Sequence, residues 1–207
     1  MEIEVFFDPI CPWCFIGKRR LQRALGQRSA ISATLKWRPF MLNPDMPPGG
    51  MERSAYLLHK FGTEARVRRL LGALEATGQS EEIDFQFRHI DHTPSTISAH
   101  RLVHYADDFG LAEAVVERLF RSYFQEGCNI GELEELSAIG RSVGLEGGAL
   151  DDYLDSSTDV SWVREQNSLA HRLGVNGVPC FLIDGTMALQ GAQPPEILAR
   201  LLDAAAA

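Results

Sequence analysis

Met1-Glu2-Ile3-Glu4-Val5-Phe6-Phe7-Asp8-Pro9-Ile10-Cys11-Pro12-Trp13-Cys14 opens the chain. Residues 2–7 are rich in Ile, Val and Phe and predict a short, largely buried strand, which Asp8-Pro9 ends. Cys11-Pro12-Trp13-Cys14 follows at the head of a helical pattern from about Pro12 to Leu25. Phe15, Leu21 and Leu25 fall on one side of it, Lys18, Arg19, Gln22 and Arg23 on the other, and Gly26 is its stop. The two thiols therefore stand at a strand-to-helix elbow. A helix amino terminus carries roughly half a positive charge together with unpaired N–H groups. A thiolate at Cys11 is stabilised there, and its pKa is expected to be lowered. Pro12 suits the first helical position, where its missing N–H would have no partner in any case. Cys14 lies one turn further in, within reach of Cys11 for a disulfide. Thiolate attack on a disulfide sulfur is the elementary step of thiol–disulfide exchange.

The Cys-x-x-Cys spacing also serves zinc half-sites, which need two further ligands. Cys128 and Cys180 each stand alone, while His89 and His92, or His100 and His104, are spaced to contribute. The elbow context favours redox chemistry over metal, so no metal and no cofactor is expected. His100 and His104, four apart on one helical face, read as a packed or solvated pair, and Cys128 as a buried or idle thiol.

Further along, residues 33–38 alternate as a second strand, and Pro39 to Gly50 reads as a connecting loop. From about Met51 to Leu173 the pattern is helical: Tyr56–Leu74, Ser95–Phe109, Leu111–Glu126, Leu133–Val143, Leu150–Tyr153 and Val160–Leu173. Glu81–His89, with Ile83, Phe85 and Phe87 alternating, reads as extended. Residues 180–184 and 187–190 predict two strands joined at Asp184-Gly185, a hairpin signal. Pro194-Pro195 opens a last helix to about Leu202, and Ala204–Ala207 is expected to fray. The order is strand, helix, strand, helical block, hairpin, helix, an α/β layout with the helical block inserted.

A second element is Gly177-Val178-Pro179-Cys180. Proline at the mouth of a strand cannot donate to the ladder. Either a cis Val178–Pro179 bond turns the backbone towards the dithiol, or Pro179 is a trans residue starting an edge strand. Cys11-Pro12-Trp13-Cys14 after the first strand and Gly177-Val178-Pro179 before the third together resemble the thioredoxin-fold DsbA superfamily. The Phe40-Met41-Leu42-Asn43-Pro44-Asp45-Met46-Pro47 loop, Ala99-His100-Arg101-Leu102 and the Gly174–Pro179 run are similar to its FrnE-like branch.

The resemblance spans nearly the whole chain. It implies a thioredoxin-like fold from residues 1–45 and 160–207, with residues 46–159 as a helical insertion. It also implies a cis Pro179 facing the dithiol and thiol–disulfide oxidoreductase activity. Cys11 would be the nucleophile and Cys14 the resolving thiol, with Pro12, Trp13, Val178 and Pro179 at the substrate. Two departures stand out. Pro94-Ser95-Thr96 replaces the family's Asn-Thr before the Ala-His-Arg-Leu helix, and Cys180 follows Pro179 where Thr or Ser is common. Strand alternation turns Cys180 away from the dithiol, into packing beneath the sheet. Trp13 is expected to be exposed as an apolar docking surface. No His occupies the slots between the cysteines, so the Cys11 thiol is expected in the upper part of the roughly 3.5–7.5 range of such motifs.

A rival within the superfamily resembles 2-hydroxychromene-2-carboxylate isomerases and kappa-class glutathione transferases. Those carry Ser where Cys11 stands, and the intact pair argues against them. A polypeptide-binding chaperone with incidental cysteines is a rival from another class. Composition narrows the partners. The 207-residue chain has a net charge of −8, which argues against duplex nucleic acid or an anionic membrane. The expected partner is a protein or a low-molecular-weight thiol or disulfide, glutathione among them. Four cysteines without a disulfide framework, and no basic apolar leader, fit a cytoplasmic protein.

Overall fold

The structure is a computed structural model that describes residues 1–206. β1 (Glu2–Phe7) runs through the centre of a four-stranded sheet. Its side chains are almost all buried beyond Glu4, as the Ile/Val/Phe run requires. α1 (Pro12–Gly26) follows, then β2 (Thr34–Pro39), which lies parallel to β1 with Val5 opposite Trp37. The parallel pairing demands a crossover, and α1 is that crossover.

The central block starts with a short strand, β3 (Met51–Glu52), and then α2 (Arg53–Phe61) and α3 (Glu64–Ser80). The single helix expected over 56–74 is thus two. Gly62, at φ +92°, takes a conformation that side chains rarely adopt, and Thr63 caps the next helix by accepting from the Arg66 N–H. β4 (His92–Thr93) pairs with β3 in a two-stranded sheet that sequence reading did not anticipate. Residues 81–89 form no strand. Ile83, Phe85 and Phe87 are all buried as their alternation suggested, but the backbone finds no ladder and closes in a 3₁₀ turn at Phe87–His89. α4 (Ile97–Asp107), α5 (Ala112–Phe124), α6 (Leu133–Ser142), α7 (Gly147–Asp155) and α8 (Val160–Arg172) follow.

β5 (Cys180–Ile183) pairs antiparallel with β1, and β6 (Met187–Gln190) pairs with β5, giving the order β2-β1-β5-β6. The turn between them places Asp184 and Gly185 at positive φ, as the hairpin signal requires. α9 (Pro195–Ala205) packs on α1. It carries Ala204 and Ala205 in helix where fraying was expected, and Ala207 lies outside the described residues. Among the described residues no helix is long and apolar enough to cross a membrane.

One hydrophobic cluster runs from the sheet into the helical block. Phe7 of β1, Phe15 of α1, and Phe120, Tyr123 and Phe124 of α5 meet in it. Phe15 stacks on Phe120 with ring centroids 5.0 Å apart, and Phe7 meets Phe120 edge-on at 6.1 Å. An ion pair closes the same α1–α5 contact. Lys18, almost wholly buried, donates to Glu117 at 2.9 Å, and Arg19 donates to both carboxylate oxygens. Burial works to raise the Glu117 pKa, but Arg19 and Lys18 outweigh it and hold the carboxyl at about 2.

A carboxyl depressed on folding adds stability above its unfolded pKa and loses it as pH falls towards the folded one. Glu117→Gln is therefore expected to destabilise the protein at pH 7 by about 2–4 kcal/mol, since it leaves a buried lysine without its closest counter-charge. Urea unfolding at several pH values checks this, and the gap to wild type should narrow as pH drops from 5 towards 2.

Candidate active site

The dithiol stands where β1 gives way to α1. Asp8 and Pro9 stop the strand, the Cys11 N–H donates to the Asp8 carbonyl at 2.9 Å, and Cys11 becomes the N-cap of α1 with an extended backbone. Its carbonyl accepts from the N–H of Cys14 at 3.0 Å and of Phe15 at 3.4 Å, the first bonds of the helix. Pro12 occupies the first turn, where no N–H is required. The Cys11 thiol donates to the Val178 carbonyl at 3.7 Å. The structure thus brings Cys11 and the Gly177–Pro179 segment together, although 167 positions separate Cys11 from Val178.

The Val178–Pro179 bond is cis. Pro179 is buried, and it packs so closely on α1 that a Cβ on Gly17 would lie 2.6 Å from its Cγ. Gly17 is what lets the proline approach the helix.

The two thiols have different surroundings. Both belong to the main hydrophobic cluster, but Cys11 also lines a cavity and Cys14 does not. The Cys14 thiol is pushed well up, first by burial, then by its hydrogen bond with Cys11 and by the Cys11 and Asp8 charges; a backbone contact with Asp8 pulls the other way. All four cysteines are free thiols.

Asp8 has a second task beyond ending the strand. It is fully buried, and its carboxylate accepts from the Leu42 N–H at 2.7 Å and the Ile10 N–H at 3.2 Å. Burial raises its pKa to about 6, against these two amides, the Lys60 charge and the Thr96 hydroxyl, which all lower it. Thr96 stands where the chain departs from the Asn-Thr pattern, so the start of α4 still supplies a polar group to this spot.

The cavity in front of Cys11 measures about 320 Å³, at the lower end of typical small-molecule sites. Ile10, Cys11, Pro12 and Trp13 form one side, Gly177 and Val178 another, and α2 and α3 a long apolar wall that includes Leu57, Leu70, Leu71 and Leu74. Trp13 is 41% exposed at the rim, as expected. Pro179 is not among the lining residues. The polar lining is Arg53, Tyr56, Lys60, Thr93 and Tyr123. Sequence reading missed all of these and the buried role of Asp8. The polar residues sit among ordinary helical positions, and nothing in their spacing ties them to an elbow forty or more residues away. Asp8 did carry a signal, an acid within three residues of the first cysteine.

The remaining candidates fall outside the site. Cys180 is buried in a separate cluster with Phe6, Phe40, Ala170 and Val175, away from the dithiol, and burial pushes its thiol up to about 11. His100 is buried edge-on to Phe7, where desolvation lowers it to about 3, while His104 stacks on Trp162 at 3.7 Å. Among the described residues no three His, Cys, Asp or Glu side chains gather as metal ligands would.

This geometry agrees with comparison to known proteins. The DSBA-like thioredoxin domain family matches residues 2–203, and the chain belongs to that family. The fold is that of a probable DsbA oxidoreductase from Streptomyces coelicolor, at 28% identity and a TM-score of 0.90 over 99% of this chain and 89% of that one. DsbM of Pseudomonas aeruginosa, a cytosolic disulfide reductase solved with GSH, shares the fold at 20% identity and a TM-score of 0.68, covering 99% of this chain and 98% of that one. The uncharacterized Bacillus subtilis protein YwbO is 23% identical over 203 residues, 98% of this chain and 96% of its own.

Two outcomes are expected from these contacts. A carboxyl whose pKa is raised on folding binds its proton more tightly in the native state, so ionising Asp8 costs stability as pH climbs from about 4 through 6. The stability of Asp8→Asn relative to wild type should therefore improve by about 2 kcal/mol between pH 4 and pH 7, whatever its absolute value. Parallel urea titrations of the two proteins measure it. Gly17→Ala should cost about 1–3 kcal/mol in the same assay, because the added methyl would meet the buried ring of Pro179 and the edge of Phe181.

Proposed function

We propose that the protein is a thiol–disulfide oxidoreductase in which Cys11 attacks the substrate and Cys14 resolves the mixed disulfide. The observation that supports this most is the asymmetry of the pair. Cys11 caps a helix and opens on the cavity; Cys14 is held protonated in the core behind it. Cys11 is the thiol of the pair that a substrate disulfide in the cavity can reach.

In the first step the thiolate forms a bond to one substrate sulfur, and the other sulfur leaves as a thiolate that takes a proton. Cys14 then loses its proton, with Asp8 as a base beside it above about pH 6, and attacks Cys11. The second substrate sulfur leaves. Two electrons and two protons have passed from the dithiol to the substrate, and the Cys11–Cys14 disulfide remains. The reverse sequence oxidises a dithiol.

We read residues 46–159 as an insertion whose first helices, α2 and α3, wall the cavity of a thioredoxin-like unit formed by 1–45 and 160–207. Pro12, Trp13 and Val178 line that cavity and are its substrate contacts, with Pro179 holding Val178 in place from behind. The size of the cavity favours a low-molecular-weight thiol or disulfide over an extended polypeptide, and glutathione, carried by DsbM, is a candidate. A cytoplasmic setting fits the cysteine usage and the cytosolic DsbM.

Cys14→Ser, incubated with glutathione disulfide, should accumulate a mixed disulfide through Cys11 that reductant releases; intact-mass spectrometry detects it. Equal trapping by Cys11→Ser would reverse the assigned order of attack.

A further inference from the structure

Arg53 is the part of the cavity wall that the exchange chemistry leaves without a use. Its side chain is only 8% exposed and lines the same cavity as Cys11. Nη1 donates to the Tyr123 hydroxyl at 2.8 Å, but Nε has no hydrogen-bond partner, and Arg53 forms no ion pair among the described residues. The rings of Phe87 and Tyr123 lie 5.9 and 5.7 Å from the guanidinium carbon, which offers a cation–π contact without a counter-charge.

Other buried cations of this protein are treated differently. Lys18 has Glu117, and the Arg101 guanidinium donates to the carbonyls of Tyr153, Leu154, Ser156 and Thr158. A guanidinium does not shed its proton to escape burial, and a buried charge without a partner is costly. Lys60, on the same wall, donates to Tyr56 and Asn43 and likewise has no acid partner among the described residues. No lining residue is acidic. The Lys60 charge helps to lower the Asp8 pKa, but the Asp8 carboxylate accepts from the Leu42 and Ile10 amides and is not part of the cavity lining.

We infer that the cavity takes a low-molecular-weight disulfide or thiol whose carbon skeleton carries a carboxylate, and that Arg53 binds this carboxylate while Cys11 meets the sulfur. The inference rests on the exchange reading of Cys11 given above. A guanidinium fork offers paired donors to a carboxylate, which fixes both distance and direction. The apolar wall of α2 and α3 covers the carbon chain between the two ends. Lys60, nearer the rim, adds charge without the same burial.

The test is a single turnover of the fully reduced protein by dithiodipropionate and by its neutral diamide, dithiodipropionamide, which has nearly the same shape. Each rate constant is divided by that of the same disulfide with free dithiothreitol. Wild type should favour the acid, and Arg53→Gln should lower the acid's rate about tenfold or more while leaving the diamide within about twofold. Arg53→Lys should recover part of the preference, and Lys60→Gln should keep most of it. Equal rates for acid and diamide in wild type, or an equal fall for both in Arg53→Gln, would overturn the assignment. So would a preference that vanishes in Lys60→Gln. Should Arg53→Gln fail to fold, Arg53→Lys decides: its preference for the acid should fall several-fold below that of wild type, and an unchanged preference would overturn the assignment. Failure of both disulfides to oxidise the dithiol is a different result, which removes the exchange reading itself.

Discussion

A single buried carboxylate organises the reactive end of this molecule. Asp8 binds the amide of Ile10 just ahead of the dithiol and the amide of Leu42 just beyond β2. It therefore pins the strand-to-helix elbow to the loop of the neighbouring parallel strand. Both amides would otherwise be donors in an apolar interior, where a missing partner is expensive. The arrangement has an opposing cost, because the desolvated carboxyl is harder to ionise than one in water. The same placement puts a group titrating near neutrality beside Cys14. Anchoring and proton handling thus depend on one side chain, and neither would survive if the elbow were held by packing alone.

From this elbow the rest of the site follows by close packing. Pro179 can lie against α1 because residue 17 has no side chain, and the neighbouring Val178 carbonyl accepts from the Cys11 thiol. On the other flank α5 binds α1 through stacked phenylalanines and the Lys18–Glu117 pair. Tyr123 of α5 bonds in turn to Arg53 at the start of α2 and donates to the His92 carbonyl of β4. The helical block is therefore not a detached lid. It shares the core of the sheet, and the Arg53–Tyr123 bond ties the start of α2 to α5 within it.

Much of this was legible in the residue order. The Ile/Val/Phe run followed by Asp-Pro and Cys-Pro-Trp-Cys announced the elbow, because strand burial and helix capping are local requirements that neighbouring residues must meet. The Asp184-Gly185 hairpin and the helices from α4 to α8 were legible for the same reason. The orientation of Cys180 followed from the two-residue alternation of a strand. Where local signals conflicted with packing, the reading slipped. The apolar spacing of 56–74 continued across Gly62, whose positive φ breaks the helix. The alternation of Ile83, Phe85 and Phe87 described side-chain burial correctly but could not supply a strand partner.

Residue order alone carries the dithiol, its helix-capping position, the four strands of the main sheet and the run of helices between them. These rest on covalent neighbours and on periods of two and 3.6 residues, which the chain carries wherever it goes. That Cys14 is sealed while Cys11 opens on a cavity, and that Asp8 and Arg53 are both buried close to that site, comes from packing in three dimensions. Burial and the absence of a counter-charge are properties of what surrounds a group. For Arg53 those surroundings come from Phe87 and Tyr123, residues 34 and 70 positions away in a chain whose order gives no sign of the meeting.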